Sequence, residues 1–115
     1  MKILGYALTD IGLKRKINQD AFLKDDALQL YVVADGMGGH RGGEVASQLA
    51  VEVIQKFVSE NPSMHPREKL DKAVNLSCKE IYDQSKKNSD LSGMGTTIVV
   101  VLVWDGTAYI GQVGD

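Results

Sequence analysis

Residues 96–104 read Thr-Thr-Ile-Val-Val-Val-Leu-Val-Trp, a run of mostly β-branched side chains whose stiffness at χ1 disfavours helix and suits a pleated strand. Asp105-Gly106 follows, a pair suited to the two positive-φ positions of a type I′ turn, so residues 107–113 are expected to return as the second arm of a hairpin. A hairpin this apolar needs a covering layer, and the middle of the chain offers one. Val45, Ala46, Leu49, Ala50, Val53, Ile54, Phe57 and Val58 recur at helical spacing with Ser47, Gln48, Glu52, Gln55 and Lys56 between them. Asn61-Pro62-Ser63 breaks that helix, and Pro66 opens a second with Leu70, Ala73, Val74, Cys78 and Ile81 on one face. Upstream, residues 3–8, 21–24 and 27–34 read as strands, separated by a polar stretch over 9–20 and an Asp25-Asp26 turn. The last of these becomes continuously apolar towards Ala34, as a strand entering a core does. Strands, two helices, then strands predict an α+β fold rather than alternating βαβ units.

Composition excludes several classes of function. With 13 Lys plus Arg against 15 Asp plus Glu, the net charge of -2 provides no broad cationic surface for nucleic acid or anionic lipid. Neither nucleic acid nor membrane is expected as a partner. The single cysteine, Cys78, forms no internal disulfide and no zinc site, which suits a reducing, cytoplasmic setting. The longest apolar run, 98–104, falls well short of the roughly 18 residues that would suggest a membrane span.

Five of the twelve glycines fall between Gly36 and Gly43, where an apolar strand delivers Asp35 into Gly36-Met37-Gly38-Gly39-His40. A carboxylate held at a sheet end beside a glycine carbonyl offers hard oxygen ligands for Mg²⁺ or Mn²⁺. An ordinary strand-to-helix turn accounts for Asp-Gly alone, but not for the buried strand and the glycine run together. Two nucleotide-binding patterns fail on these glycines. Gly36-Met37-Gly38-Gly39-His40-Arg41 lacks the third glycine of the dinucleotide fingerprint, and Gly38 to Gly43 has P-loop spacing but places Glu44 where the phosphate-neutralising lysine belongs. Cys78 is followed six positions later by Gln84, not by the arginine that a cysteine-nucleophile phosphatase needs. A second grouping is Lys14-Arg15-Lys16 five residues before Asp20, where the planar fork of Arg15 suits a phosphoryl group; a solvated turn is the simpler reading of that segment taken alone. Asp115, after Gly114 at a strand end, is a third carboxylate in a comparable setting.

Taken together, Thr9-Asp10-Ile11-Gly12 through Asn18-Gln19-Asp20, Val32-Val33-Ala34-Asp35-Gly36-Met37-Gly38-Gly39-His40, Gly93-Met94-Gly95-Thr96-Thr97 and Val113-Gly114-Asp115 resemble the metal-dependent serine/threonine protein phosphatases of the type 2C, or PPM, family in its bacterial form. The resemblance implies part of a four-layer α-β-β-α sandwich, two antiparallel sheets flanked by helices, with a binuclear Mn²⁺ or Mg²⁺ site at one end. It also implies roles. Arg15 matches the arginine that holds the substrate phosphate, Asp35 the aspartate bridging both metals, Gly36 the glycine whose carbonyl completes one metal's shell, and Asp20 an acid that reaches a metal through water. Asp115 matches an aspartate associated with a third, weaker metal. Gln19 stands where some members place a glutamate ligand, and Met37 where some have a histidine general acid, so neither role carries over.

The implied activity is hydrolysis of phosphoserine and phosphothreonine in proteins, the targets of a cognate serine/threonine kinase, by hydroxide activated between two cations. The family draws further metal-binding aspartates and strands from sequence beyond the position of Asp115. Residues 1–115 are therefore expected to be the N-terminal half of one phosphatase domain, inactive by themselves. The alternative is a truncated, non-catalytic binding or assembly module, self-associating through open sheet edges.

Overall fold

The computed structural model describes residues 19–39 and 41–114, so the strand expected over 3–8, Arg15, His40 and Asp115 lie outside the described residues. The elements run β1 (Asp20–Asp25), β2 (Leu30–Met37), α1 (Gly42–Glu60), α2 (Pro66–Lys87), a single 3₁₀ turn at Ser89–Leu91, β3 (Gly95–Trp104) and β4 (Thr107–Val113). The strands form one antiparallel sheet in the order β1-β2-β3-β4. This is the α+β arrangement expected. Asp105 and Gly106 both take positive φ, 49° and 74°, as the type I′ hairpin requires.

Strand β2 is displaced from its expected position. The apolar pattern predicts it over residues 27–34; instead residues 26–29 turn, with Gln29 at φ 53°, and pairing continues through Asp35, Gly36 and Met37. The Asp25 carboxylate explains the late start. It accepts the Leu28 N–H at 3.0 Å, an Asx-type closure that consumes residues otherwise apolar enough for a strand. At the other end, glycine and methionine continue the ladder against Thr96 and Gly95 of β3.

Both helices pack on one face of the sheet. Leu30, Val32 and Ala34 of β2 and Ile98 and Val100 of β3 are fully buried against Ala46, Ala50 and Ile54 of α1 and Ala73 of α2. Helix α2 begins at Pro66, whose missing N–H costs nothing in a first turn, and the His65 ring accepts the Arg67 N–H at 3.1 Å as its cap. Cys78 packs against this core, as expected. The alternate side chains of the strands point away from the helices, and there Phe22, Val33, Val99 and Ile110 are exposed, Ile110 at 68%.

Candidate metal centre

The antiparallel register places Asp20 of β1 directly opposite Asp35 of β2. The Gly36 N–H donates to the Gln19 carbonyl at 3.0 Å, which makes Gln19 and Gly36 a hydrogen-bonded position and the next pair, Asp20 and Asp35, a narrow one. At narrow positions the Cα atoms stand about 4.5 Å apart, and directly opposed side chains share a face. That face is the one turned away from the helices. Asp35 is exposed on it and Asp20 half-buried. Facing carboxylates are unfavourable to one another and favour a positive charge between them.

The same end of the sheet gathers the other motifs. Asp35 pairs with Thr97 of β3. One residue beyond the last β3–β4 pair, Gly114 comes so close to Thr97 that a Cβ on it would lie 2.7 Å from Thr97 Cγ2. Asp20, Asp35, Thr97 and Gly114 thus form one row across the four strands, and Gly114 immediately precedes Asp115. Segments separated by up to 94 positions in sequence converge on a single sheet end.

The glycine run is explained by packing. Helix α1 starts at Gly42, inside the cluster and earlier than the apolar periodicity indicates. Its first turn lies directly on β2: a Cβ on Gly36 would fall 1.8 Å from the Gly43 carbonyl oxygen and 2.7 Å from the Gln19 carbonyl oxygen. Gly38, at φ +147°, passes Met94 with 3.1 Å between a built Cβ and the Met94 Cα. Gly42 and Gly43 are buried at the same junction, and the Gly42 N–H closes onto the Gly39 carbonyl at 2.9 Å. The Gly93-Met94-Gly95 motif therefore supplies the wall against which the glycine loop lies. In the sequence the motif reads as the opening of a strand, and no local signal there encodes this contact.

Two carboxylates and a glycine carbonyl one residue on are hard oxygen donors, and they suit Mg²⁺ or Mn²⁺ rather than a thiophilic metal. Among the described residues no group of three or more His, Cys, Asp or Glu comes together, so Asp20, Asp35 and Gly36 fit such an ion as part of a coordination shell. No helix among the described residues is long and apolar enough to cross a membrane.

Residues 14–115 match the family model described as Protein phosphatase 2C. The chain belongs to that family. This phosphatase 2C chain is 37% identical over 114 residues to the serine/threonine phosphatase Stp of Listeria monocytogenes serotype 4b, covering 93% of its own length and 45% of the relative's. It is also 37% identical over 114 residues to PstP of Mycobacterium tuberculosis, covering 22% of that protein. The chain thus spans less than half the length of these relatives. Among solved structures, the catalytic domain of PstP in complex with two manganese ions superposes with a TM-score of 0.84 at 36% identity, over 94% of this chain and 46% of that one. PPM phosphatase domains are its structural neighbours, in keeping with the expected fold.

Proposed function

We propose that residues 1–115 are the N-terminal part of a single PPM domain that hydrolyses phosphoserine and phosphothreonine in proteins, the products of a serine/threonine kinase, in the cytoplasm. One observation carries the reading: Asp20 faces Asp35 across a narrow antiparallel position at the sheet end where the two other family motifs meet. The relatives' names support phosphoprotein hydrolysis, and the manganese complex of the PstP catalytic domain supports a divalent metal. In this reading Asp35 would hold two cations, the Gly36 carbonyl and Asp20 would complete their surroundings, and Asp115 would serve a third. Bound there, divalent cations supply Lewis acidity and a lowered pKa for water. Arg15 receives two phosphoryl oxygens in its fork and orients the ester for in-line attack.

The test is phosphate release from phosphoserine, phosphothreonine and phosphotyrosine peptides by the complete domain. Turnover of the first two that requires Mn²⁺ or Mg²⁺ and stops on chelation is expected. Turnover that persists in chelator, or that is confined to phosphotyrosine, contradicts the proposal.

A second reading applies to the 115 residues in isolation. The exposed face carrying Phe22, Val33, Val99 and Ile110, with β1 and β4 outermost among the described strands, favours a non-catalytic module that self-associates. Light scattering on the isolated chain should then show oligomers, and a monomer at all concentrations removes this reading.

A further inference from the structure

We propose that Gln19 is the positioning residue of the metal corner, holding both aspartate strands and the start of α1 through three different contacts. This rests on the reading of Asp20 and Asp35 as metal ligands. The Gln19 main-chain carbonyl accepts the Gly36 N–H at 3.0 Å, which fixes the backbone one residue past Asp35. Its side-chain Nε2 donates to the Gly38 carbonyl at 3.3 Å, reaching the glycine loop two residues further on. Its amide also lies flat on the first turn of α1, so that a Cβ on Gly43 would meet Cδ at 2.6 Å, Oε1 at 2.8 Å and Nε2 at 2.9 Å. Gln19 adjoins Asp20 in sequence, so a single side chain links one carboxylate strand to the loop that follows the other.

The amide is the group that suits this place. It provides a neutral donor to a carbonyl, whereas a carboxylate of the same length would set one oxygen against another and add a third negative charge beside Asp20 and Asp35. A glutamate here therefore loses the bracket and does not simply gain a ligand. Outer groups that orient metal ligands commonly change metal affinity by about 10- to 100-fold when removed.

The experiment is calorimetric Mn²⁺ titration of the complete domain, with thermal unfolding in chelator and steady-state kinetics on a phosphopeptide. It compares wild type, Gln19→Met, Gln19→Glu and Asp35→Asn. Gln19→Met keeps the length and the packing on Gly43 but removes the donor. Both Gln19 variants are expected to bind Mn²⁺ about 10-fold more weakly and to lose kcat at saturating metal, with KM within about twofold of wild type, since orientation and not substrate binding is disturbed. Wild-type Mn²⁺ affinity in Gln19→Met overturns the proposal, because packing alone would then suffice. Tighter Mn²⁺ binding by Gln19→Glu also overturns it, by making the position a ligand site. A lowered melting temperature with unchanged metal affinity and kcat shows a structural role only and likewise refutes it. If Asp35→Asn binds Mn²⁺ as wild type does, the metal reading itself fails and the proposal falls with it. Weakened binding by Asp35→Asn alongside unaffected Gln19 variants removes the proposal alone.

Discussion

Gly36→Ala tests the packing that sets Asp35 in place. The added methyl carbon would lie 1.8 Å from the Gly43 carbonyl oxygen, 2.5 Å from the Gly43 carbonyl carbon and 2.7 Å from the Gln19 carbonyl oxygen. Carbon and oxygen in close contact sit about 3.3 Å apart, so α1 must move from β2 by roughly 1.5 Å or β2 must bend. Every obstructing atom is backbone, which leaves no side-chain rotamer to absorb the shift. A gap of ~1 Å forfeits up to half of each dispersion contact along its length. The contacts at stake include Ala46, Ala50 and Ile54 of α1 against Val32 and Ala34 of β2, all fully buried. The cost should exceed the ~1–3 kcal/mol of ordinary overpacking and reach about 3–5 kcal/mol. Set against a total stability of ~5–15 kcal/mol, that corresponds to a fall in Tm of roughly 10–20 °C. Urea unfolding of the complete domain, followed by circular dichroism at fixed Mn²⁺, measures it. Gly39→Ala serves as the control, since nothing lies within 4 Å of a Cβ there, and it should change stability by no more than about 0.5 kcal/mol. If Gly36→Ala unfolds within about 1 kcal/mol of wild type, the contact between the first turn of α1 and β2 is not as tight as described.

Two further outcomes follow from other parts of the chain. Arg15→Ala in the complete domain should raise KM for phosphopeptides more than it lowers kcat, and Arg15→Lys should restore only part of the loss because a point charge lacks the bidentate fork; equal activity of the Arg and Lys forms counts against phosphate contact. The Asp25 carboxylate accepts from Gln55 Nε2 and from the Leu28 N–H, both at 3.0 Å, and these donors hold its pKa below the ordinary 3.8. A carboxyl depressed on folding stabilises above its unfolded pKa and loses that contribution as pH falls through the folded one. Asp25→Asn should therefore cost about 1 kcal/mol at pH 7, with the difference from wild type shrinking below pH 3.8; a difference independent of pH would contradict it.

The strands and helices were legible because their signals are local. The β-branched run before Asp105-Gly106, the helical spacing from Val45 to Val58 and Pro66 each act within a few residues, and each element formed where those signals lie. The start of β2 was not, because the closure of Asp25 on Leu28 competes with strand propensity through a side chain that periodicity ignores. The start of α1 at Gly42 was hidden for a similar reason: helix propensity disfavours glycine, yet only glycine lets that turn lie on Gly36 and beside Met94. The site itself was legible in part. Asp20, Asp35 and Gly36 were singled out from their motifs, but their cross-strand register depends on which residues pair, and the part played by Gln19 is carried by tertiary contacts that no spacing encodes.

The most direct test of the central claim is the Mn²⁺ stoichiometry of the complete domain with and without the Asp35 charge. Asp35→Asn keeps the side-chain shape and removes one of the two carboxylates that face each other across β1 and β2. Calorimetric titration should show wild type taking up about two ions, as a two-metal site does, and Asp35→Asn losing at least one of them, with unchanged circular dichroism and no phosphopeptide turnover. Uptake of the same number of ions at the same affinity by Asp35→Asn would contradict the placement of the metal centre between these two strands.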